Sequence, residues 1–137
     1  MQTYYWKLQN NGEDAKVIAQ AAELIRNGEV VAFPTETVYG LGANGLNSEA
    51  VAKIFTAKGR PNDNPLILHI ADKESINQLT SGLTENAKVL MEKFWPGPLT
   101  LIVAKSAVVP DAVSAGLPTV AVRFPSNIFA QSLIKAS

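Results

Sequence analysis

Four short, mainly apolar runs, separated by stretches of helical spacing, constrain the fold of this chain more than any other feature. The runs are Val30–Phe33, Leu66–Ile70, Leu99–Val103 and Thr119–Arg123. Runs of this length and character are typical of strands in a buried sheet. Because helices alternate with them, we predict an α/β domain whose sheet is mixed or parallel and largely buried.

Five helices are predicted before, between and after these strands. Apolar residues recur at helical spacing from Val17 to Ile25, and Gly28 follows at the position of a left-handed C-terminal cap. The other helices are expected to begin near Asn47, after Asp72, after Thr84 and near Asn127. The helix after Thr84 should bury Leu90, Met91 and Phe94, and Trp95, which follows this helix, should join them in the core.

Composition limits the function classes that the chain can serve. Of its 137 residues, 47% are hydrophobic and 18% are charged, which excludes intrinsic disorder as the main state. Twelve basic residues balance 12 acidic ones, so the chain does not resemble proteins that coat nucleic acid or acidic membranes, although a local basic patch is allowed. The absence of cysteine excludes thiolate chemistry, and a single histidine, His69, excludes sites with two imidazoles.

The N-terminal residues lack the layout of a signal peptide, with a basic stretch before an apolar one, and no apolar run approaches the roughly 18 residues of a spanning helix. We therefore expect a cytoplasmic protein with no membrane contact. We also expect one domain, residues 1–137, that is incomplete at its C-terminus. The chain ends at Ser137, inside or just after the last predicted helix, whereas such a helix normally leads back into the sheet.

A glycine-rich stretch, Gly40–Gly45, matches the G-x-G-x-x-G pattern of dinucleotide-binding folds. In those folds the first glycine follows the strand directly, whereas six residues separate Phe33 from Gly40 here. The nearest acidic residue at the required distance, Asp63, lies in a loop rich in proline and asparagine. Glycines that shape a loop explain this stretch better than a dinucleotide site.

Polar side chains follow the first predicted strand. If residues 34–41 are extended, Thr35, Thr37 and Tyr39 share one face and Glu36 lies on the other. Three hydroxyl groups at this edge of a sheet suit a small polar ligand. An ordinary strand-to-loop passage, with threonine favoured for its β-propensity, fits the same residues. Both interpretations remain open from the pattern alone.

Two cations stand at the end of the second predicted helix. Lys58 and Arg60 flank a glycine and lead into a proline-rich loop that contains Asn64. A lysine charge, an arginine fork and an amide suit an anionic ligand such as phosphate. Basic residues also complement the helix macrodipole at this position, so the pattern does not decide between the two roles.

Two further polar residues lie in predicted strands. His69 either is a satisfied core residue or lines a cavity as a hydrogen-bonding group, and the lack of other ligands argues against a metal. Arg123 ends an apolar strand, where arginine requires an anionic partner. That partner is either an internal carboxylate or a bound ligand, and the sequence leaves both open.

Four segments, taken together, resemble the YrdC-like family in their order and approximate spacing. They are Phe33–Leu41, Lys58–Ile70, Phe94–Thr100 and Thr119–Pro125. The resemblance implies a twisted, open, mixed sheet with flanking helices and a concave basic pocket. It also implies an L-threonylcarbamoyladenylate synthase, a nucleotidyltransferase that forms threonylcarbamoyl-AMP and pyrophosphate from L-threonine, bicarbonate and ATP with Mg²⁺. A tRNA threonylcarbamoyl transferase would then use the adenylate in tRNA modification.

The resemblance also assigns ligand contacts to individual residues. It implies ATP contacts at Lys58, Arg60, Asn64 and Thr119. Of these, Lys58 and Arg60 would form the catalytic pair on the phosphates. The resemblance implies threonine contacts at Thr37, His69 and Arg123, and Arg123 would bind the threonine carboxylate. No metal ligand is implied. Family members continue into an S-x-N motif of the ATP site that these 137 residues do not reach, so we expect the chain alone to bind ATP weakly without turnover.

Two alternative functions remain open. The first is an RNA-binding module on the same fold, which would bind RNA directly, at least weakly, on the basic concave surface. Zero net charge and the lack of interleaved surface aromatic residues argue against this alternative. A paralogue of the same fold would act on another carbamoyl or nucleotide substrate.

Overall fold

The computed structural model describes all 137 residues; it contains the five predicted helices and four predicted strands, together with one further helix and two further strands. The helices are α1 (Asp14–Arg26), α2 (Ser48–Lys58), α3 (Ile76–Leu79), α4 (Glu85–Phe94), α5 (Asp111–Ser114) and α6 (Ile128–Ala136). The strands are β1 (Val31–Phe33), β2 (Gly40–Gly42), β3 (Ile67–His69), β4 (Thr80–Gly82), β5 (Thr100–Lys105) and β6 (Thr119–Arg123). None of the helices combines the length and apolar character that a membrane crossing requires.

The strands form two separate sheets. β1 and β2 form an antiparallel hairpin, and the other four strands form a sheet in the order β3-β6-β5-β4. β3 runs parallel to β6, whereas β5 is antiparallel to both β6 and β4. The mixed sheet confirms the predicted fold class. The four-stranded sheet ends at β3 on one side, so one edge of β3 has no strand partner.

Side-chain alternation along β6 divides the sheet into two faces. Val120 and Val122 are buried in the larger core cluster, which also includes residues of α2, α3, α4 and α5. Thr119, Ala121 and Arg123 lie on the opposite face, here called the front face, and are half-buried. A second, smaller core joins α1, β1 and α6 through buried residues such as Ala22 and Ala130. The molecule therefore has two cores.

Local capping explains where several helices begin and end. The Asn47 side chain accepts hydrogen bonds from the first turn of α2 at 3.0 and 3.3 Å, and Gly59 ends the helix with a φ of 58°. Thr84 and Asn127 cap α4 and α6 in the same way. Each such cap stabilises its helix by about 1 kcal/mol. Asp72 does not cap α3; its carboxylate accepts hydrogen bonds from Ser75 in the preceding turn.

The core prediction for α4 is wrong in part. Met91 and Trp95 are buried, and the Trp95 indole donates a hydrogen bond to the Leu99 carbonyl at 2.8 Å. Phe94 and Leu90, however, are 54% and 37% exposed. Trp95 enters the core immediately after the helix ends, which leaves Phe94 on the surface.

Two of the glycines in the G-x-G-x-x-G stretch lie in a strand rather than a loop, which corrects that part of the prediction. Gly40 and Gly42 pack against the ring of Phe33 across the hairpin. A Cβ atom on Gly42 would lie 2.7 Å from that ring, closer than carbon atoms approach. The glycines therefore allow the two strands of the hairpin to enclose a large aromatic side chain, and no dinucleotide motif is present.

Candidate functional site

A cavity of about 780 Å³ lies between the two sheets. Its walls include the whole of β3 on one side and β2 with the residues that follow it on the other. Sixteen of its 29 lining residues are hydrophobic, and the charged ones are Lys58, Arg60, Lys135 and Asp72. A cavity of this volume, mostly apolar with a few cations, matches the sites that bind small anionic molecules.

Lys58 and Arg60 both line this cavity. Gly59 in the left-handed conformation turns the chain at the end of α2, and the Arg60 N–H group donates to Phe55 O at 3.0 Å. Neither side chain has an acidic partner within 4 Å. The helix macrodipole can account for Lys58, which lies in the last turn, but not for Arg60, which lies beyond the helix. An incoming anion therefore finds two cations that no internal carboxylate neutralises.

Arg123 lies at the end of β6, beside His69 of β3 and Thr100 of β5. Its Nη2 group forms an ion pair with the Glu36 carboxylate and lies 3.3 Å from the Thr37 hydroxyl. The side chains of Arg123 and Glu36 are only 13% and 18% exposed. The Nε group of Arg123 is buried and has no hydrogen-bond partner. An internal carboxylate is therefore one partner of Arg123, and the donors on Nε and Nη1 remain unused.

Glu36 is a residue of the site that the sequence did not indicate. Its second carboxylate oxygen accepts hydrogen bonds from the N–H groups of Ser126 and Asn127 at 3.1 and 3.4 Å. Burial alone would raise the pKa of Glu36, but the hydrogen bond and charge of Arg123 and the backbone donors outweigh it and hold that pKa below its usual value. Glu36 therefore connects the hairpin loop to the end of β6 and the start of α6 as a carboxylate.

The predicted alternation of residues 34–41 is wrong. The loop bends at residues 36–38 instead of staying extended, and the Thr37 N–H group donates to the Thr35 hydroxyl at 3.2 Å. The bend directs Glu36 and Thr37 toward the same guanidinium. Tyr39 is 79% exposed and takes no part in this cluster. Only the residue types flanking Glu36 hinted at a site, because its partner lies 87 residues further along the chain.

His69 is a half-buried residue of the cavity wall. Its Nδ1 atom lies 3.3 Å from Ile67 O, and its ring meets the edge of Phe33 at a centroid distance of 6.0 Å. Burial is the main cause that lowers the pKa of His69; the hydrogen bond to Ile67 opposes this effect, and the charge on Arg123 adds to it. His69 is therefore neutral at pH 7, with Nδ1–H assigned as the donor to Ile67 and Nε2 left as an acceptor.

Two predicted ATP contacts lie apart from these residues. Asn64 is in an exposed loop, and Thr119 is at the other end of β6, about 13 Å from Arg123 at the usual rise of a strand. Neither residue lines the cavity, and neither do Thr37 and Arg123, which lie next to it through His69. Thr119 does share the front face with Arg123, since the two are four positions apart in one strand. Their roles stay predictions.

Comparison with known proteins identifies a family and named relatives to which the chain is similar. A family model described as Sua5/YciO/YrdC, telomere recombination, matches residues 23–137. A threonylcarbamoyl-AMP synthase of Bacillus subtilis is 59% identical over 121 residues, which are 88% of this chain and 35% of that protein. A synthase of the same name from Pyrococcus abyssi is 57% identical over 117 residues, which are 85% of this chain and 34% of that protein. The chain thus spans about a third of the length of these relatives.

Solved structures show the same fold. The structure of Pyrococcus abyssi Sua5 complexed with L-threonine matches 89% of this chain and 36% of that chain, with a TM-score of 0.88 and 55% identity. The structure of Escherichia coli YciO matches 89% of this chain and 59% of that one, with a TM-score of 0.79 and 28% identity. The α/β architecture, with a mixed sheet and flanking helices, is therefore shared with this group.

Proposed function

This chain belongs to the Sua5/YciO/YrdC family, and from this premise we propose that it is the substrate-binding part of an L-threonylcarbamoyladenylate synthase. The enzyme forms threonylcarbamoyl-AMP and pyrophosphate from L-threonine, bicarbonate and ATP. The observation that carries the proposal is the arrangement of charges: unpaired Lys58 and Arg60 line the cavity, and His69 of the cavity wall lies beside Arg123. The relative with L-threonine bound supports the choice of amino acid.

At the amino-acid end, neutral His69 offers Nε2 as an acceptor for the hydroxyl or amino group of threonine. Arg123 offers its unused Nη1 donors to the threonine carboxylate. Thr37 lies 3.3 Å from the same guanidinium and adds a hydroxyl to this end of the site. Together these groups match a small amino acid with a polar side chain.

At the nucleotide end, Lys58 supplies a point charge and Arg60 a planar fork for the phosphates of ATP. Threonine and bicarbonate first condense to a carbamate with loss of water. A carbamate oxygen then attacks the α-phosphorus, and the bond from that phosphorus to the pyrophosphate oxygen breaks. Such a reaction depends on alignment and on neutralisation of phosphate charge rather than on a protein nucleophile. Asn64 and Thr119 are proposed as further contacts to ATP.

Mg²⁺ is proposed to arrive with the ATP phosphates. The chain contains no group of three or more histidine, aspartate or glutamate side chains placed to hold a metal ion. The ion would reduce the negative charge of the ATP phosphates next to Lys58 and Arg60. We further propose that a tRNA threonylcarbamoyl transferase consumes the adenylate, in the cytoplasm.

The test uses the full reading frame that contains this chain, incubated with ATP, Mg²⁺ and bicarbonate, with and without L-threonine. We expect a new adenylate, detected by mass spectrometry, that requires both threonine and bicarbonate, and L-serine serves as the matched control. Adenylate formation without threonine would instead support a paralogue with another substrate. The absence of any nucleotide chemistry, together with RNA binding that weakens steeply with salt, would support the RNA-binding module.

A further inference from the structure

Glu36 lies where the hairpin loop, β6 and the start of α6 meet, and both of its carboxylate oxygens are engaged. One oxygen binds Nη2 of Arg123, and the other accepts the N–H groups of Ser126 and Asn127. Backbone donors on one side and a guanidinium on the other fix the plane of the carboxylate. An anion held in this way is a rigid reference point for the flexible arginine side chain.

Arg123 is held through one nitrogen only. Its Nη2 group contacts Glu36 and Thr37, whereas its Nε group is buried without an acceptor. The Nη1 group has no hydrogen-bond partner either, but it is not fully buried, so it is the donor that an incoming oxygen atom can reach. His69 lies beside Arg123 on the neighbouring strand and adds an acceptor for another part of the same molecule. The unused donor is thus at the site proposed for threonine.

We propose that Glu36 is a positioning residue for substrate: it fixes the Arg123 guanidinium through Nη2 and so presents the Nη1 group to the threonine carboxylate. This inference rests on the proposed function. Glu36 itself does not touch the ligand. An arginine ordered in advance loses less conformational entropy on binding, so Glu36 tightens threonine binding despite its own negative charge.

A competing role for Glu36 predicts the opposite result. If its carboxylate occupied the place of the threonine carboxylate, removal of its charge would strengthen threonine binding. A merely structural role would lower stability and the active fraction without a selective effect on threonine. The three roles therefore separate in the kinetics of a single variant.

The experiment is done in the full reading frame, with L-threonine and ATP titrated separately in the adenylate assay. In Glu36→Gln we expect the KM for L-threonine to rise about tenfold, while kcat at saturating threonine and the KM for ATP stay within about twofold. Glu29→Gln is the matched control, because it removes an exposed carboxylate that pairs with Lys53. Glu36→Asp keeps the charge with a shorter reach and should raise the threonine KM less.

A second background shows whether the effect passes through Arg123. Arg123→Lys should raise the threonine KM by itself, and Glu36→Gln added to it should change that KM by less than about twofold. An unchanged or lower threonine KM in Glu36→Gln, a loss confined to kcat, or the same factor in both backgrounds would overturn the proposal. Should Glu36→Gln fail to fold, Glu36→Asp decides by the same criteria. A parent enzyme without threonine-dependent adenylate refutes the proposed function instead.

Discussion

Replacement of Arg123 by alanine tests how strongly the Glu36–Arg123 pair holds the hairpin loop against the sheet. Both side chains are less than one-fifth exposed, at 13% and 18%, so water replaces the lost cation poorly. Removal of one partner from a buried ion pair costs about 3–5 kcal/mol. Glu36 keeps two backbone donors at 3.1 and 3.4 Å and some contact with water, so we expect a loss of about 2 kcal/mol, below the lower limit of that range.

Urea unfolding of the parent chain and of Arg123→Ala measures this difference in the free energy of unfolding. In thermal unfolding we expect the Tm of Arg123→Ala to be lower by about 6–8 °C for a domain of this size. Lys53→Ala is the matched control, since the Lys53–Glu29 pair is 45% and 52% exposed and contributes at most about 1 kcal/mol. Glu36→Gln added to Arg123→Ala should restore about half of the lost stability, because it removes the uncompensated charge. If Arg123→Ala is as stable as Lys53→Ala, or the double variant recovers nothing, the electrostatic reasoning is refuted.

Three other predictions follow from the same geometry. Because the pKa of His69 is lowered in the folded state, the unfolded state binds a proton more readily, and the free energy of unfolding should fall as pH drops below about 6.5. In urea unfolding, the free energy of unfolding of His69→Gln should depend less steeply on pH than that of the parent chain. Equal slopes would contradict this prediction. Lys58→Ala and Arg60→Ala should each raise the KM for ATP about tenfold or more and leave the threonine KM within about twofold; equal effects on both substrates would argue against phosphate binding. Gly42→Ala should lower the free energy of unfolding by about 1–3 kcal/mol in thermal unfolding, because the added Cβ would lie too close to the ring of Phe33. Gly12→Ala, with open space around the added Cβ, should leave the stability unchanged.

Local signals account for the parts of the fold that the sequence predicted. Asn47, Thr84 and Asn127 cap the helices that they were expected to cap, because a capping side chain bonds to backbone groups two or three residues away. The strand Thr119–Arg123 has the predicted bounds. β2 was missed because two of its three residues are glycines, whose role is to make room for Phe33 rather than to add apolar surface.

The sequence singled out some residues that the structure places around the cavity, but it did not predict the contacts of the candidate site. Lys58, Arg60 and His69 line one cavity, as their chemical types suggested. The partnership between Glu36 and Arg123 joins residues 87 positions apart, and no periodicity or spacing connects them. Whether a strand arginine pairs with an internal carboxylate or with a ligand depends on tertiary packing, and here one internal carboxylate leaves room for a ligand as well.

The contrast between paired Arg123 and unpaired Lys58 and Arg60 has a consequence for how the site separates two anions. A guanidinium balanced by Glu36 attracts a polyanion weakly but can still donate a directed hydrogen bond to a single carboxylate. Two unbalanced cations attract phosphates most strongly. Loss of the Glu36 charge should therefore allow pyrophosphate to compete with threonine. We expect pyrophosphate to become a competitive inhibitor against L-threonine in Glu36→Gln but not in the parent enzyme, and the same inhibition pattern in both proteins would show that Glu36 plays no part in keeping phosphate away from Arg123.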